Sequence, residues 1–209
     1  MAMNNILRII IDTVFPPTAH TAKLSRTTPD IFLRHYHEQK VGEVTALSHY
    51  HVPVIQAAIA AGKFENNRYA TRLLSYLLST WLNKNIVSRK TILIPLPLSR
   101  TRQNERGFNQ VERVVTHAKA ESILMKTNWL TRVVDTTRQT SLDRTERLKN
   151  MTGAFTITGA IQQTDWSTIS RVVICDDVIT TGASLAAAKA SLLPHIPSHI
   201  ELVCLAWAH

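Results

Sequence analysis

The sequence predicts an α/β fold in which a mainly parallel sheet is flanked by helices. Three runs of apolar residues, at 91–94, 172–175 and 200–207, have the composition of strands buried on both faces. Helical patterns separate these runs, and strands that alternate with helices are typical of parallel α/β sheets. A chain of 209 residues that is 44% hydrophobic and 19% charged can bury the core of one such domain with a short appendage.

The N-terminal part is the least regular, and we expect residues 1–45 to form an appendage to a domain that spans 46–209. Pro16 and Pro17 end a short amphipathic stretch in the appendage. We expect that stretch either to pack as a helix against the domain or to contact a partner.

The remaining elements follow from the spacing of apolar residues. Helices are predicted at 51–61, 67–83, 107–125 and 183–193, a fourth strand at 129–134, and a polar loop at 135–152 with a short helix at 142–150. Two prolines, Pro95 and Pro97, predict a stiff loop directly after the first strand.

Composition excludes several classes of protein. No run of 18 apolar residues occurs, so a membrane span is not expected, and the first 15 residues lack the pattern of a signal peptide. Cys175 and Cys204 are too few for a disulfide framework or a cysteine metal cluster, and a reduced, cytoplasmic setting is expected. Two pairs of alternate histidines are interpreted as surface or loop residues rather than as metal ligands.

The formal net charge of +9 is distributed unevenly along the chain. Residues 100–150 carry eleven basic and six acidic side chains, whereas residues 151–209 carry two basic and four acidic ones. This asymmetry predicts partners that bear phosphate rather than a uniformly cationic surface.

The strongest chemical signal is the segment RVVICDDVITTGASL at 171–185. A buried strand carries two adjacent carboxylates, Asp176 and Asp177, to its carboxyl end, where open α/β sheets bind ligands. Small and hydroxylated residues then lead into a helix, so backbone N–H groups and hydroxyls can hold a phosphate. Gly182 permits either a left-handed turn of the backbone or the close approach of that phosphate. Two carboxylates beside a phosphate suit a ribose diol and Mg²⁺. An Asp-Asp pair by itself would more often be a solvated turn.

This segment resembles the phosphoribosyl-pyrophosphate (PRPP) signature of type I phosphoribosyltransferases, a hydrophobic run followed by two acidic residues and a loop rich in Thr, Gly and Ser. The resemblance implies a type I phosphoribosyltransferase-like fold, with carboxylates at the ribose hydroxyls, the loop at the 5′-phosphate, and Mg²⁺ as cofactor, held by Asp176 and Asp177 directly or indirectly. The implied PRPP-binding residues are Asp176, Asp177, Val178, Ile179, Thr180, Thr181, Gly182, Ala183 and Ser184.

Three further strings resemble the ComF family of competence-associated phosphoribosyltransferase homologues: IPLPLSRTRQNERGFNQ at 94–110, RQTSLDRTERLKNMTGAF at 138–155, and GKF at 62–64. The resemblance covers roughly residues 46–209. The implied pyrophosphate-binding residues are Leu96, Pro97, Leu98, Ser99 and Arg100. The implied lid or substrate-contacting residues are Arg106, Asn109, Gln110, Arg138, Gln139, Thr140, Arg144 and Arg147. Arg100 and Arg106 are expected to act with Asp176 and Asp177 in catalysis.

Plainer interpretations stay open for several of these residues. The two prolines can simply turn the chain, and Arg100 and Arg102 can belong to a solvated surface. Arg144 and Arg147 can pair with neighbouring acidic residues instead of forming a lid that shields a reacting ribosyl cation from water.

The chain also departs from the families that it resembles. Many ComF-like proteins begin with a cysteine zinc module, but no cysteine precedes Cys175, so zinc is not expected. Thr180 stands where 6-oxopurine transferases place an acidic residue, which argues against a hypoxanthine or guanine enzyme.

The expected function is that of a PRPP- and Mg²⁺-binding phosphoribosyltransferase of the ComF type, linked to DNA uptake and natural transformation, with an unidentified acceptor. The alternatives are a non-catalytic accessory protein that binds single-stranded DNA, and an orotate-like enzyme of nucleotide salvage. Expected partners are PRPP and either single-stranded DNA or competence proteins. The oligomeric state is left open, with a homodimer as one option.

Overall fold

A six-stranded, mostly parallel sheet lies at the centre of the protein. The computed structural model describes residues 19–85, 87, 89–134 and 153–209. Strands within these ranges are β1 (Gln39–Val41), β2 (Val44–Ala46), β3 (Lys90–Pro95), β4 (Ile123–Met125), β5 (Leu130–Arg132), β6 (Phe155–Ile157), β7 (Ile169–Val178) and β8 (Glu201–Ala208). The main sheet has the order β1-β2-β8-β7-β3-β4, and the β1–β2 pair alone is antiparallel among the strand pairs described in it. The predicted α/β class with a mainly parallel sheet is confirmed.

Helices cover both faces of this sheet. Within the described ranges they are α1 (Ala19–Leu24), α2 (Pro29–Leu33), α3 (Pro53–Phe64), α4 (Arg68–Lys84), α5 (Arg100–Arg106), α6 (Gln110–His117) and α7 (Ala183–Leu192). The helices predicted at 51–61, 67–83 and 183–193 are confirmed as α3, α4 and α7. In the described part of the chain, no helix combines the length and the apolar character needed to cross a membrane.

The three predicted apolar strands are the central β3, β7 and β8. Successive side chains of a strand point to opposite faces, and on β7 Val173 packs with α3, α4 and α6, whereas Val172 and Ile174 pack with α7 and β6. Both faces of β7 are therefore buried, which explains why its sequence is continuously apolar rather than alternating.

The second sheet consists of β5 and β6, which pair in antiparallel fashion. β5 confirms the strand predicted at 129–134. The predicted loop at 135–152, with its helix at 142–150, lies outside the described residues.

The helix predicted at 107–125 is wrong over most of its length. α6 ends at His117, Ser122 has a positive φ of 56°, and the chain then pairs with β3 as β4. Residues 118–121 include good helix formers, but hydrogen bonding along the free edge of β3 overrides that local preference.

Part of the predicted appendage belongs to the sheet. β1 and β2 form a hairpin in which Gly42 has a φ of 60°, and β2 pairs with β8. α1 packs on α3 and contributes to the hydrophobic core on the face of the sheet that α3 covers. Residues 19–45 therefore complete one edge of the fold, whereas residues 1–18 lie outside the described part.

Candidate functional site

An open cavity of about 720 Å³ lies at the carboxyl ends of β3, β7 and β8. This is the edge of the sheet where the sequence predicts a ligand site. Predicted site residues that line it are Leu96, Pro97, Leu98, Arg106, Asn109, Gln110, Asp176, Asp177, Val178, Ile179, Thr180 and Ser184. The fold therefore brings most of the described candidates to one place.

Two carboxylates stand at the end of β7, on the floor of the cavity. The Asp177 carboxylate forms an ion pair with Lys63, with 2.8 Å between Oδ2 and Nζ, and both side chains are largely buried at 15% and 22% exposure. Asp176 accepts a hydrogen bond from the backbone N–H of Asp177 at 2.7 Å. Burial raises the pKa of Asp176 to about 7, and the negative charge of Asp177 adds to the effect.

The loop after β7 turns sharply into α7. Gly182 has a φ of 75° and directly precedes the first helical residue, and a Cβ there would meet Ile179 only at an ordinary 3.5 Å. The left-handed turn, one of the two predicted reasons for this glycine, is observed, and the close approach of a phosphate stays a prediction. Thr181 Oγ1 accepts a weak hydrogen bond from the N–H of Ala183 at 3.4 Å.

A small concavity of about 40 Å³ opens inside this loop. Asp176 and residues 178–185 line it, which includes Thr181, Gly182 and Ala183 of the predicted signature. Backbone N–H groups at such a turn and at the start of α7 form the kind of site that binds an anion.

The loop after β3 divides into residues that face the cavity and residues that do not. Leu96, Pro97 and Leu98 line the cavity, and the N–H of Leu96 donates to the carbonyl of Cys175 at 2.8 Å. Ser99 is buried and caps α5, because its hydroxyl accepts a hydrogen bond from the N–H of Arg102 at 3.4 Å. Arg100 is exposed at the start of α5 and is not among the described residues that line the cavity.

The clustered arginines at 100–106 also favour, from the sequence, a loop that leads into the helix predicted at 107–125. The structure instead forms the helix α5 there, so that interpretation is wrong. The Ser99 cap starts the helix, and Gly107, with a φ of 72°, ends it. One turn of helix places Arg102 and Arg106 on the cavity side, and the Arg106 guanidinium lies 5.4 Å from the ring of Phe64. Arg102, for which a place on a solvated surface was left open, therefore lines the cavity.

Asn109 and Gln110 hold the cavity wall together. Asn109 donates to the carbonyl of Leu96 at 3.0 Å, and its side-chain oxygen accepts from the N–H of Val111 at 3.0 Å. Gln110 is only 2% exposed and donates to the carbonyl of Ile59 at 3.3 Å, while its side-chain oxygen has no hydrogen-bond partner among the described residues. These contacts fix the β3 loop, α3 and α6 relative to one another.

Several cavity residues were not predicted as site residues. They are Lys63, Arg132, His49, Tyr50, His51 and His209. The GKF string contained Lys63 but gave it no role, and only the folded chain shows its contact with Asp177. The histidines are exposed in loops, as expected, yet they face the cavity because β2 and β8 lie side by side.

The remaining predicted lid residues lie outside the described residues. They are Arg138, Gln139, Thr140, Arg144 and Arg147. Their proposed role stays a prediction.

Comparison with known proteins agrees with the sequence motifs. No family model matches the chain. The chain is 29% identical over 148 residues to Competence protein F of Haemophilus influenzae, and the aligned region covers 68% of this chain. It spans 63% of the length of that relative. Together with the α/β fold, this similarity supports the predicted relationship of the chain to the ComF family.

Proposed function

We propose that this protein binds PRPP together with Mg²⁺ and transfers the phosphoribosyl group to a nucleophilic acceptor. One observation carries the proposal: Asp176 lines both the large cavity, which also holds Asp177, Arg102 and Arg106, and the small concavity at the Gly182 turn. The two adjoining spaces offer chemically suitable surfaces for a pyrophosphate, a diol and a phosphate.

The N-terminus of α7 and the preceding loop would hold the 5′-phosphate. The carboxylates of Asp176 and Asp177 would accept hydrogen bonds from the ribose hydroxyls. Arg102, Arg106 and the backbone of the β3 loop would face the pyrophosphate, whose charge arginine binds well.

The donor set fits Mg²⁺, because carboxylate oxygens are the ligands that this ion prefers. Asp176 and Asp177 would hold it, directly or through the ligand. Bound Mg²⁺ would neutralise charge on the departing pyrophosphate. Lys63 now pairs with Asp177, so we expect it to exchange that carboxylate for a ligand phosphate when PRPP binds.

The transfer is a displacement at the anomeric carbon of the ribose. A bond forms from the acceptor to this carbon, and the bond to the pyrophosphate oxygen breaks. Pyrophosphate takes the electron pair, and the acceptor loses a proton. The protein contributes positioning and electrostatic stabilisation of the leaving group.

Calorimetry with PRPP and Mg²⁺ tests the proposal. We expect Asp176→Asn/Asp177→Asn to weaken PRPP binding at least tenfold, because both acceptors of the ribose hydroxyls lose their charge. Asp165→Asn, a change at an exposed carboxylate that does not line the cavity, is the matched control. Equal affinity of the double variant and the wild-type chain would show that the site assignment is wrong.

We also propose a role in DNA uptake, since the relative is a competence protein. Binding of single-stranded DNA is the second candidate function, and the arginines of α5 favour it. A nucleotide-salvage enzyme would instead release pyrophosphate from PRPP with a free base such as orotate.

A further inference from the structure

The side chain of Asn109 joins two parts of the cavity wall. Its carboxamide nitrogen donates to the carbonyl of Leu96 in the loop after β3 at 3.0 Å, and its oxygen caps α6 by accepting from the N–H of Val111 at 3.0 Å. We propose that Asn109 is a positioning residue, which orients the β3 loop so that the N–H of Leu98 faces a ligand pyrophosphate. This inference rests on the proposed function.

The two contacts together favour asparagine over the other residues that cap helices. Leu96 offers a carbonyl, which accepts, and Val111 offers an N–H, which donates, so the side chain between them needs one donor and one acceptor. Ser and Asp cap helices about as well as Asn, and Ser99 does so for α5 in this chain. An ionised Asp has no donor, however, and the shorter Ser side chain cannot reach Leu96 while it caps the helix. Capping alone therefore does not explain the residue at 109.

Leu96 is held at both of its backbone polar groups. Its N–H donates to the carbonyl of Cys175 on β7 at 2.8 Å, and its carbonyl accepts from Asn109. Leu96 is only 5% exposed, so water would not easily replace Asn109 at that carbonyl. The contact with Asn109 thereby fixes the plane of the peptide bond between Leu96 and Pro97.

Pro97 passes this orientation on to the next peptide bond. Its ring holds φ at about −65° and it has no N–H, so the first backbone donor after the fixed peptide is the N–H of Leu98. The direction of that N–H then depends on the ψ of Pro97 alone. Leu96, Pro97 and Leu98 all line the cavity. A loop that is restricted before the ligand arrives loses little conformational entropy on binding.

The helix that carries Asn109 is itself anchored to the rest of the protein. The next residue, Gln110, is 2% exposed and donates to the carbonyl of Ile59 on α3 at 3.3 Å. α3 and α6 approach so closely there that a Cβ on Gly62 would lie 3.1 Å from the amide nitrogen of Gln110. Asn109 is therefore held in place, and its contact with Leu96 extends that order to the β3 loop.

The alternative role for Asn109 is direct contact with the ligand, as the family resemblance implies. The two roles differ in the ligand-free protein. A positioning residue orders the β3 loop before any ligand arrives, whereas a residue that only contacts the ligand leaves the free loop unaffected. A measurement on the free chain therefore separates them.

Amide hydrogen exchange of the ligand-free chain is the first measurement. Asn109→Ser keeps a cap on α6 and removes the donor to Leu96, whereas Asn109→Ala removes both. We expect Asn109→Ser to speed exchange of the Leu96 N–H at least about fivefold, the effect of one hydrogen bond on an equilibrium. Exchange of the N–H of Val115, which is buried in α6, should change less than about twofold in Asn109→Ser and more in Asn109→Ala.

Calorimetry with inorganic pyrophosphate and Mg²⁺ measures the consequence for binding. We expect Asn109→Ser and Asn109→Ala to weaken pyrophosphate binding by at least about fivefold each, because both lose the donor to Leu96. The affinity for ribose 5-phosphate, which would occupy the loop before α7, should stay within about twofold.

Asn67→Ser is the matched control. Asn67 caps α4 and donates to Thr21 at 3.1 Å, so it has the same two kinds of contact, but it is not among the described residues that line the cavity. This variant should change neither affinity by more than about twofold.

The outcomes separate this inference from the proposed function. If pyrophosphate binds Asn109→Ser as well as the wild-type chain and only Asn109→Ala weakens it, Asn109 is no more than a helix cap and the proposed function stands. If Asn109→Ser weakens binding but leaves exchange of the Leu96 N–H unchanged, Asn109 contacts the ligand directly and the positioning role is wrong. If neither pyrophosphate nor PRPP binds the wild-type chain, the proposed function fails and this inference fails with it.

Discussion

At the scale of single residues, burial changes the acid–base chemistry of Asp176. Its pKa is about 7, against an ordinary value of about 4. Between these two pH values, the folded chain therefore keeps a proton on Asp176 that the unfolded chain has released. Folding stability from this group is therefore present at low pH and is lost as pH rises from about 4 to about 7.

We expect Asp176→Asn to remove this loss. The pKa shift corresponds to at most about 4 kcal/mol of folding stability. Because Asp176 is partly exposed, we expect the free energy of unfolding of the variant to exceed that of the wild type by only about 1–2 kcal/mol at pH 8. Urea unfolding from pH 4.5 to pH 8 measures this difference. Asp165 has its pKa lowered by hydrogen bonds from Ser167, so Asp165→Asn should change the pH dependence in the opposite direction. A constant difference between wild type and Asp176→Asn at all pH values would contradict the prediction.

Lys63 stabilises the carboxyl end of β7 through its ion pair with Asp177. Lys63→Met removes the only positive charge at hydrogen-bond distance that the described residues offer Asp177, which then faces Asp176 unpaired. We expect the free energy of unfolding to fall by about 1–3 kcal/mol, less than for a fully buried pair.

A double-mutant cycle with Asp177→Asn isolates the interaction, which should couple the two sites by at least about 1 kcal/mol. The ion pair between Lys189 and Glu43 is the control, since Glu43 is 77% exposed and a smaller coupling is expected. Equal coupling in the two cycles would show that Lys63 is no more than a surface partner.

At the scale of elements, Gly107 ends the helix α5, which carries Arg102 and Arg106. Its φ is 72°, and in the described part of the chain no atom outside its two neighbours lies within 4 Å of the Cβ that alanine would add. Gly107→Ala should therefore destabilise the fold by about 1–2 kcal/mol through backbone conformation alone. Gly159→Ala has equal space and no positive φ, and should change stability by less than about 0.5 kcal/mol. Urea unfolding compares them, and equal effects would refute the backbone explanation.

The elements that the sequence predicted well are those whose burial leaves a strong pattern. β3, β7 and β8 are apolar on both faces, and α4 has regularly spaced leucines. The hairpin β1–β2 was missed, because three-residue strands carry too few side chains to show alternation. β4 was hidden in a helical pattern, since its pairing with β3 is a contact between segments distant in sequence.

The residues of the candidate site also divide into those that a local sequence pattern marks and those that it does not. Asp176, Asp177 and Gly182 were identified because one continuous segment carries strand, carboxylates and turn. Lys63, Tyr50 and the cavity histidines were not, because they reach the cavity only through the order of the strands. No local pattern in a single sequence records that order.

At the scale of the whole molecule, the uneven charge matches the two sides of the cavity. Arg102 and Arg106 come from the basic segment 100–150, and the two carboxylates come from the acidic segment 151–209. Under the proposed function, these complementary charges would hold one ligand that bears both phosphates and hydroxyl donors. The surplus of basic side chains along the chain is larger than such a ligand needs.

That surplus predicts salt-dependent binding of single-stranded DNA centred on α5. The affinity for a labelled oligothymidine, measured by fluorescence anisotropy, should fall steeply as salt rises from 50 to 200 mM, because each neutralised phosphate releases counterions. Arg102→Ala/Arg106→Ala should reduce the slope of log affinity against log salt by up to about 1.4, or about 0.7 per lost phosphate contact. Arg34→Ala, a change at an exposed arginine that does not line the cavity, should leave the slope unchanged. If Arg34→Ala lowers the slope as much as the double variant does, DNA is attracted diffusely to the whole surface rather than to α5. An affinity that does not depend on salt would exclude an electrostatic mode of binding.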